Sequence, residues 1–392
     1  MISNRQFGII ACILTATTVT ITLGLTWPFL SIVLEKQGLS AWLIGISASG
    51  QMLAVLLIAP LGPRIIGWLG TAKTLAAGMV GMACALALLP VFPTIWAWFP
   101  IRFFLGFCAE LTFAVGDIWI NQLAREETRG RLIAIYSMFL SAGFALGPVA
   151  IVFLGTDSWH VIYLGIAVIV LGLVPLYIAR NAAPLVEGKP RARLLHFLRQ
   201  APTLMLAGLM FGLIDSATFS MLPVFGLSHG LSQETAAMLL TMFVIGSVVG
   251  QLPLGWLADH LDRRKLLAWC VFASLWALVA LPFSLDSLVA TWTVMIVIGL
   301  TQGSFYLLAM VMMGSRFKGA ELIGVNASFV FLWGLGMVIG PSITGVAMDL
   351  MGPNGLPVVA ALFCTIFLVI IVRRIMTQPP EKPGQTQGGA VL

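Results

Sequence analysis

Four ionisable side chains, Arg102, Glu110, Asp117 and Asp215, stand inside stretches that are otherwise apolar. At the centre of a membrane-crossing helix such a group costs about 2.5–3.5 kcal/mol or more on insertion scales, so it is expected to face protein or a watered path rather than lipid. The chemistry these types offer is proton and ion handling. A buried carboxyl group favours its neutral form and a nearby arginine favours the charged one. Glu110 and Asp215 fall near the centres of their runs and are the expected proton carriers. Arg102 stands about 12 Å from Glu110 toward one side and Asp117 about 10 Å toward the other, at 1.5 Å per helical residue. Arg102 can hold an anionic group or a carboxylate. Asp117 fits a neutralised gate residue at its end of the helix, with Arg64 and Arg125 as candidate partners.

Helical spacing groups further side chains with these four. Phe103, Glu110, Ala114, Asp117 and Asn121 share one stripe, with Arg102 on its flank. Thr15, Thr18, Thr22 and Thr26 form a polar stripe on the first apolar run, Phe211, Asp215, Thr218 and Leu222 another on the seventh, and Gln302, Phe305, Tyr306 and Met313 a third on the tenth. The residues expected to contact a substrate are Arg102, Thr18, Thr22, Thr26, Phe211, Gln302 and Tyr306. Threonine hydroxyls can equally bond their own i−4 carbonyls. Trp27, Gln51, Tyr136, Gln251 and Asn326 are read either as substrate contacts or as helix–helix glue and interfacial anchors.

The elements that must position these groups are legible in composition. Apolar residues make up 59% of 392 positions and charged residues 9%, against soluble averages of roughly 45–50% and 25%. Apolar runs near 7–34, 42–61, 72–92, 95–123, 132–154, 159–179, 203–227, 235–257, 266–284, 289–314, 322–350 and 355–375 are mostly long enough to cross the bilayer. The first run is too long for a signal peptide and has no cleavage site. The fold class expected is an all-α integral membrane protein with twelve transmembrane helices in two pseudo-symmetric six-helix bundles. Gly143-x-x-x-Gly147-Pro148 recurs 193 residues later as Gly336-x-x-x-Gly340-Pro341, and Gly106 as Gly299, so the chain is duplicated. Glycines at i and i+4 let two helices approach, and the adjoining proline bends the helix. The duplication places an N-terminal bundle at 1–180, a linker at 181–201, a C-terminal bundle at 202–376 and a disordered tail at 377–392. Residues 194–198 read as a short surface helix or as plain charged linker.

Of 21 lysines and arginines, Lys36 alone lies in the connections opposite the termini, and Arg102 lies within a helix. This bias predicts both termini in the cytoplasm, in a bacterial inner membrane. The net charge of +6 is therefore a topology signal and not one for nucleic acid. Cys12, Cys84, Cys108, Cys270 and Cys364 lie in apolar runs without metal spacing and read as packing residues. No phosphate loop, metal-spaced set or catalytic triad is present, so neither an enzyme, a cofactor nor a metal is expected.

Gly255-Trp256-Leu257-Ala258-Asp259-His260-Leu261-Asp262-Arg263-Arg264 resembles the G-x-L-A-D-x-x-x-R-R loop of the major facilitator superfamily. The first-half copy at Gly62-Pro63-Arg64 is degraded. Arg102-x-x-x-Gly106 resembles that family's helix-4 motif, and Gly143-x-x-x-Gly147-Pro148 the helix-5 motif associated with exporters, without its closing glycines. The resemblance implies a central cavity lined by helices 1, 4, 7 and 10, and alternating access. Residues expected to govern that conformational exchange are Asp117, Arg64, Gly255, Asp259, Arg263, Arg264, Gly143, Gly147, Pro148, Gly336, Gly340 and Pro341. The expected function is secondary transport of a small molecule, coupled to H⁺ and favoured as export of amphipathic compounds. Uptake or exchange of a small organic anion or polar metabolite is the alternative, and a non-transporting sensor a further one. The expected partners are the substrate, H⁺ and the lipid bilayer, with no nucleic acid and no obligate protein partner.

Overall fold

The computed structural model describes residues 4–123, 129–180, 200–317 and 319–377. The linker from 181 to 199, with its proposed surface helix, and the tail from 378 lie outside them, as do Arg125 and Lys318. Among the described residues there are twelve helices and no strand: α1 Asn4–Lys36, α2 Ala41–Leu69, α3 Thr71–Val91, α4 Ile95–Leu123, α5 Arg129–Leu154, α6 His160–Ala179, α7 Pro202–Ser228, α8 Gln233–His260, α9 Arg263–Ser284, α10 Leu288–Arg316, α11 Gly319–Met351 and α12 Gly355–Thr377. All twelve are long and apolar enough to cross a membrane. Their outer faces carry bare apolar side chains such as Phe153, Leu252 and Phe283, each more than 80% exposed. Lipid covers such a surface at no cost, whereas water would not.

The duplication appears in the turns. Gly38 and Gly230 both take positive φ, 72° and 79°, where the absence of a Cβ removes the penalty on left-handed backbone. Leu39 N–H then donates to Leu34 O at 3.3 Å and Leu231 N–H to Gly226 O at 3.0 Å, closing α1 and α7 in the same way. Ser40 and Ser232 next accept from the amides of Leu43 and Thr235, starting α2 and α8.

Within the N-terminal half α1 packs on α4, α5 and α6, and α2 on α4. The C-terminal half repeats this, with α7 against α10, α11 and α12, and α8 against α10. Repeated glycines make these seams possible. A Cβ at Gly106 would strike the backbone of Gln51, and one at Gly299 the backbone of Phe243. Gly147 sits on the backbone of Gly24, and Gly340 on that of Leu213. The Gly-x-x-x-Gly pairs therefore serve seams inside each half.

The halves meet along α2–α11, α5–α8 and α1–α7. Cross-half hydrogen bonds gather at the end away from the termini. Asp349 of α11 accepts from the amides of Ala41 and Trp42 at 2.8 and 3.0 Å, capping α2 from the other half. Ser228 donates to Glu35 at 3.0 Å, Thr156 donates to Gln233, and Ser49 and Ser342 share a 2.7 Å bond. Gly45 lies on the backbone of Pro341 and Gly345 on that of Ala41. On the terminal side Asp117 of α4 and Tyr306 of α10, one from each half, are both exposed. The interface is thus shut at one end and parted at the other.

Candidate functional site

Trp27 of α1, Phe144 of α5, Phe219 of α7 and Phe243 of α8 close the gap at its inner end. Trp27 lies 5.6 Å from Phe144 and 5.5 Å from Phe219, ring centre to ring centre, and Phe219 lies 5.9 Å from Phe243. These four rings join both halves in one aromatic cap. One helical turn toward the termini from Phe219, on the same face of α7, is Asp215. One further turn brings Phe211, which contacts Tyr306 at 5.4 Å; Tyr306 in turn contacts Phe329 at 5.8 Å.

The three carboxyl groups differ in their partners. Asp215 is half-buried and meets neither a charge nor a hydrogen-bond donor among the described residues. Glu110 is half-buried, with Asp117 as the charge it feels. Asp117 accepts from the Tyr136 hydroxyl of α5 at 3.0 Å. The stripe on α4 thus sets two acids two helical turns apart on one face.

Several residues expected at this site lie elsewhere. Arg102 is fully buried between α4 and α2, where its Nε donates to Gln51 Oε1 at 3.3 Å and Nη1 to Ser47 Oγ at 3.1 Å. Those acceptors sit inside the N-terminal half, which turns the guanidinium away from the gap. Thr22 and Thr26 are buried too. Thr18 bonds Thr15 O at 2.7 Å, Thr22 bonds Thr18 O at 2.8 Å, and Thr26 bonds Thr22 O. Their outer sides meet α6, where Gly172 receives Thr18 and Gly165 lies against Thr22. Thr18 and Thr22 thus pack between α1 and α6. Gln302 is buried as well and donates to Ser274 of α9 at 3.4 Å. Phe211 and Tyr306 contact each other across α7 and α10 and are not fully buried.

The loop between α8 and α9 also divides its roles differently from expectation. Asp259 is exposed in the last turn of α8, while Asp262 caps α9 by accepting from the amides of Arg264 and Lys265 at 2.9 and 3.4 Å. Arg263 Nε donates to Ala258 O at 3.1 Å and ties α9 back to α8. A Cβ at Gly255 would meet open space, and Arg64 is exposed at the matching end of α2. Cys84 is exposed on the outer face of α3 rather than packed inside, and Cys12 donates weakly to Gly116 O. The aromatic cap and Asp349 had no signal in residue type alone; their roles come from which helices face each other.

A family model described as the Major Facilitator Superfamily matches residues 12–240 and 204–391. The chain belongs to the Major Facilitator Superfamily. It is therefore a membrane transporter and not an enzyme. The "Uncharacterized MFS-type transporter YfkF" of Bacillus subtilis is 26% identical over 257 residues, covering 62% of this chain and 64% of that relative. YcaD of Escherichia fergusonii, with the same description, is 23% identical over 350 residues and covers 87% and 88%. Among solved structures, a mutant of the nucleoside transporter NupG superposes with a TM-score of 0.77 at 14% identity, covering 94% of this chain and 100% of that one. A bacterial homologue of the human lysosomal transporter Spinster, inward-facing and unoccupied, superposes with a TM-score of 0.75 at 13% identity, covering 96% and 98%. At such identities the likeness is one of fold.

Proposed function

We propose that this superfamily member exports amphipathic compounds in exchange for protons, and that positively charged ones suit it best. The observation that carries the reading is the charge of the gap. What supports it is that Glu110, Asp117 and Asp215 are none of them fully buried, whereas Arg102 is fully buried against Ser47 and Gln51. Carboxylates between apolar walls favour a cation with an apolar body, and the Trp27, Phe144, Phe219 and Phe211–Tyr306 rings supply faces for cation–π contact. A proton and a cation competing for Asp215 or Glu110 would couple their opposite movements. Alternating access requires opening the α2–α11 and α5–α8 seams at one end while closing the other. The basic connections support cytoplasmic termini, which makes the parted end the cytoplasmic one.

The test is a thermal-shift panel on purified protein using shape-matched amphipathic cations, neutral compounds and anions. Cations are expected to raise the melting temperature, and acidification to weaken that effect. Stabilisation by anions or uncharged polar metabolites instead would overturn the substrate class and return Arg102 to consideration.

A further inference from the structure

On the terminal side of the C-terminal half, away from the gap, four helix ends surround a shallow pocket. Thr203 and Leu204 of α7, Arg264 of α9, Arg316 of α10 and Arg374 of α12 line it. Arg374 lies close enough to Arg264 and Arg316 to feel both charges. Arg316 and Arg374 place like charges side by side at a low-dielectric boundary, and these repel each other unless an anion joins them. Among the described residues no carboxylate stands within ion-pair distance of Arg316 or Arg374. Arg316 Nη2 donates to Gln200 O at 3.2 Å, which anchors its guanidinium beside the start of α7.

A second feature favours negative charge at the same place. The α7 helix begins at Pro202, and its N-cap residue, Ala201, has no side chain to bond the first-turn amides. The amide ends of Thr203 and Leu204 therefore add the positive end of a 27-residue helix beside Arg316 and Arg374. Guanidinium forks and helix-start amides together match tetrahedral oxyanions, phosphate above all.

We propose that this pocket holds the phosphate of an anionic phospholipid at the membrane surface. Free phosphate has the same recognition chemistry, but the surroundings favour a lipid. The pocket lies at the terminal-side ends of membrane-crossing helices, which is the depth of lipid headgroups. The site belongs to the C-terminal half and is independent of the transported compound.

Full-length protein in phosphatidylcholine nanodiscs would be titrated with short-chain phosphatidylglycerol, short-chain phosphatidylcholine or inorganic phosphate. Melting temperature and native mass spectrometry are the readouts. Phosphatidylglycerol is expected to bind saturably and raise the melting temperature, and phosphatidylcholine to do neither. Arg316→Gln and Arg374→Gln should each weaken phosphatidylglycerol binding about five-fold, as expected for loss of one interfacial charge. Arg373→Gln, at an exposed position outside the pocket, should leave it unchanged. Inorganic phosphate matching the lipid's effect would reassign the site to a soluble anion and overturn the lipid proposal. Equal binding of the two lipids, or unchanged affinity in both pocket variants, would overturn the site itself. Should a variant fail to fold, the wild-type preference for phosphatidylglycerol over phosphatidylcholine decides alone, its absence refuting the proposal.

Discussion

In the N-terminal half Gly106 lets α4 lie on the backbone of α2, and in the C-terminal half Gly299 does the same for α10 on α8. The charged positions show no such repetition. The residues 193 positions after Arg102, Glu110 and Asp117 are Met295, Gly303 and Met310. Between α1 and α7 the offset is 192, as at Gly38 and Gly230, and Asp215 is matched there by Leu23, which is buried. The difference separates two kinds of constraint. Positions where backbones touch tolerate no side chain in either half, because a Cβ has nowhere to go. Positions along the gap serve one substrate path shared by both halves, so each half need supply only part of its chemistry.

The largest expected effect is on the shared positions. Gly106→Val and Gly299→Val should each lose most folded protein, since overpacking costs about 1–3 kcal/mol or more even where neighbours can yield, and here the obstacle is backbone. Size-exclusion profiles of fluorescently tagged protein would show it. A monodisperse peak for either variant would break the equivalence of the two seams. Next come the unshared positions. Asp215→Asn should abolish proton-driven flux while the protein stays folded, whereas Thr22→Val should leave flux intact. Equal loss in both would make the threonine stripe part of the path after all.

Smaller effects test the ends of the interface. Asp349→Ala removes the carboxylate that caps α2 from across the halves, a loss of about 1 kcal/mol for a typical cap and hence about a five-fold shift toward opening at that end. Distances between labels on the α1–α2 and α11–α12 connections would report it; an unchanged distribution would show that Asp349 does not hold the seam. The smallest effect belongs to Gly314, where a Cβ meets open space within α10. Gly314→Ala should raise stability by up to about 1 kcal/mol through helix propensity alone, read as a higher melting temperature. A drop would mean that this glycine has a packing role.

The helices and the duplication were legible because each has a one-dimensional signature: run length and repeated spacing. The threonine stripe shows where that stops. A helical wheel gives the face on which Thr18, Thr22 and Thr26 stand, but not whether that face meets the other half or the glycines of α6. Arg102 was misplaced for the same reason, because Ser47 and Gln51 are far away in sequence and only packing brings them to it. In the α8–α9 loop, two aspartates stand three residues apart, and chain geometry selects Asp262 over Asp259 as the cap. Asp349 and Glu35 show the same limit, since their partners at the closed end lie in the other half of the chain.

The most direct test of the central claim is transport of an amphipathic cation by the wild-type protein in proteoliposomes under an imposed pH gradient. The cation is expected to move against its own gradient, with protons flowing the opposite way. Cation flux that runs only downhill and ignores the pH gradient would contradict it and leave Glu110, Asp117 and Asp215 as structural groups.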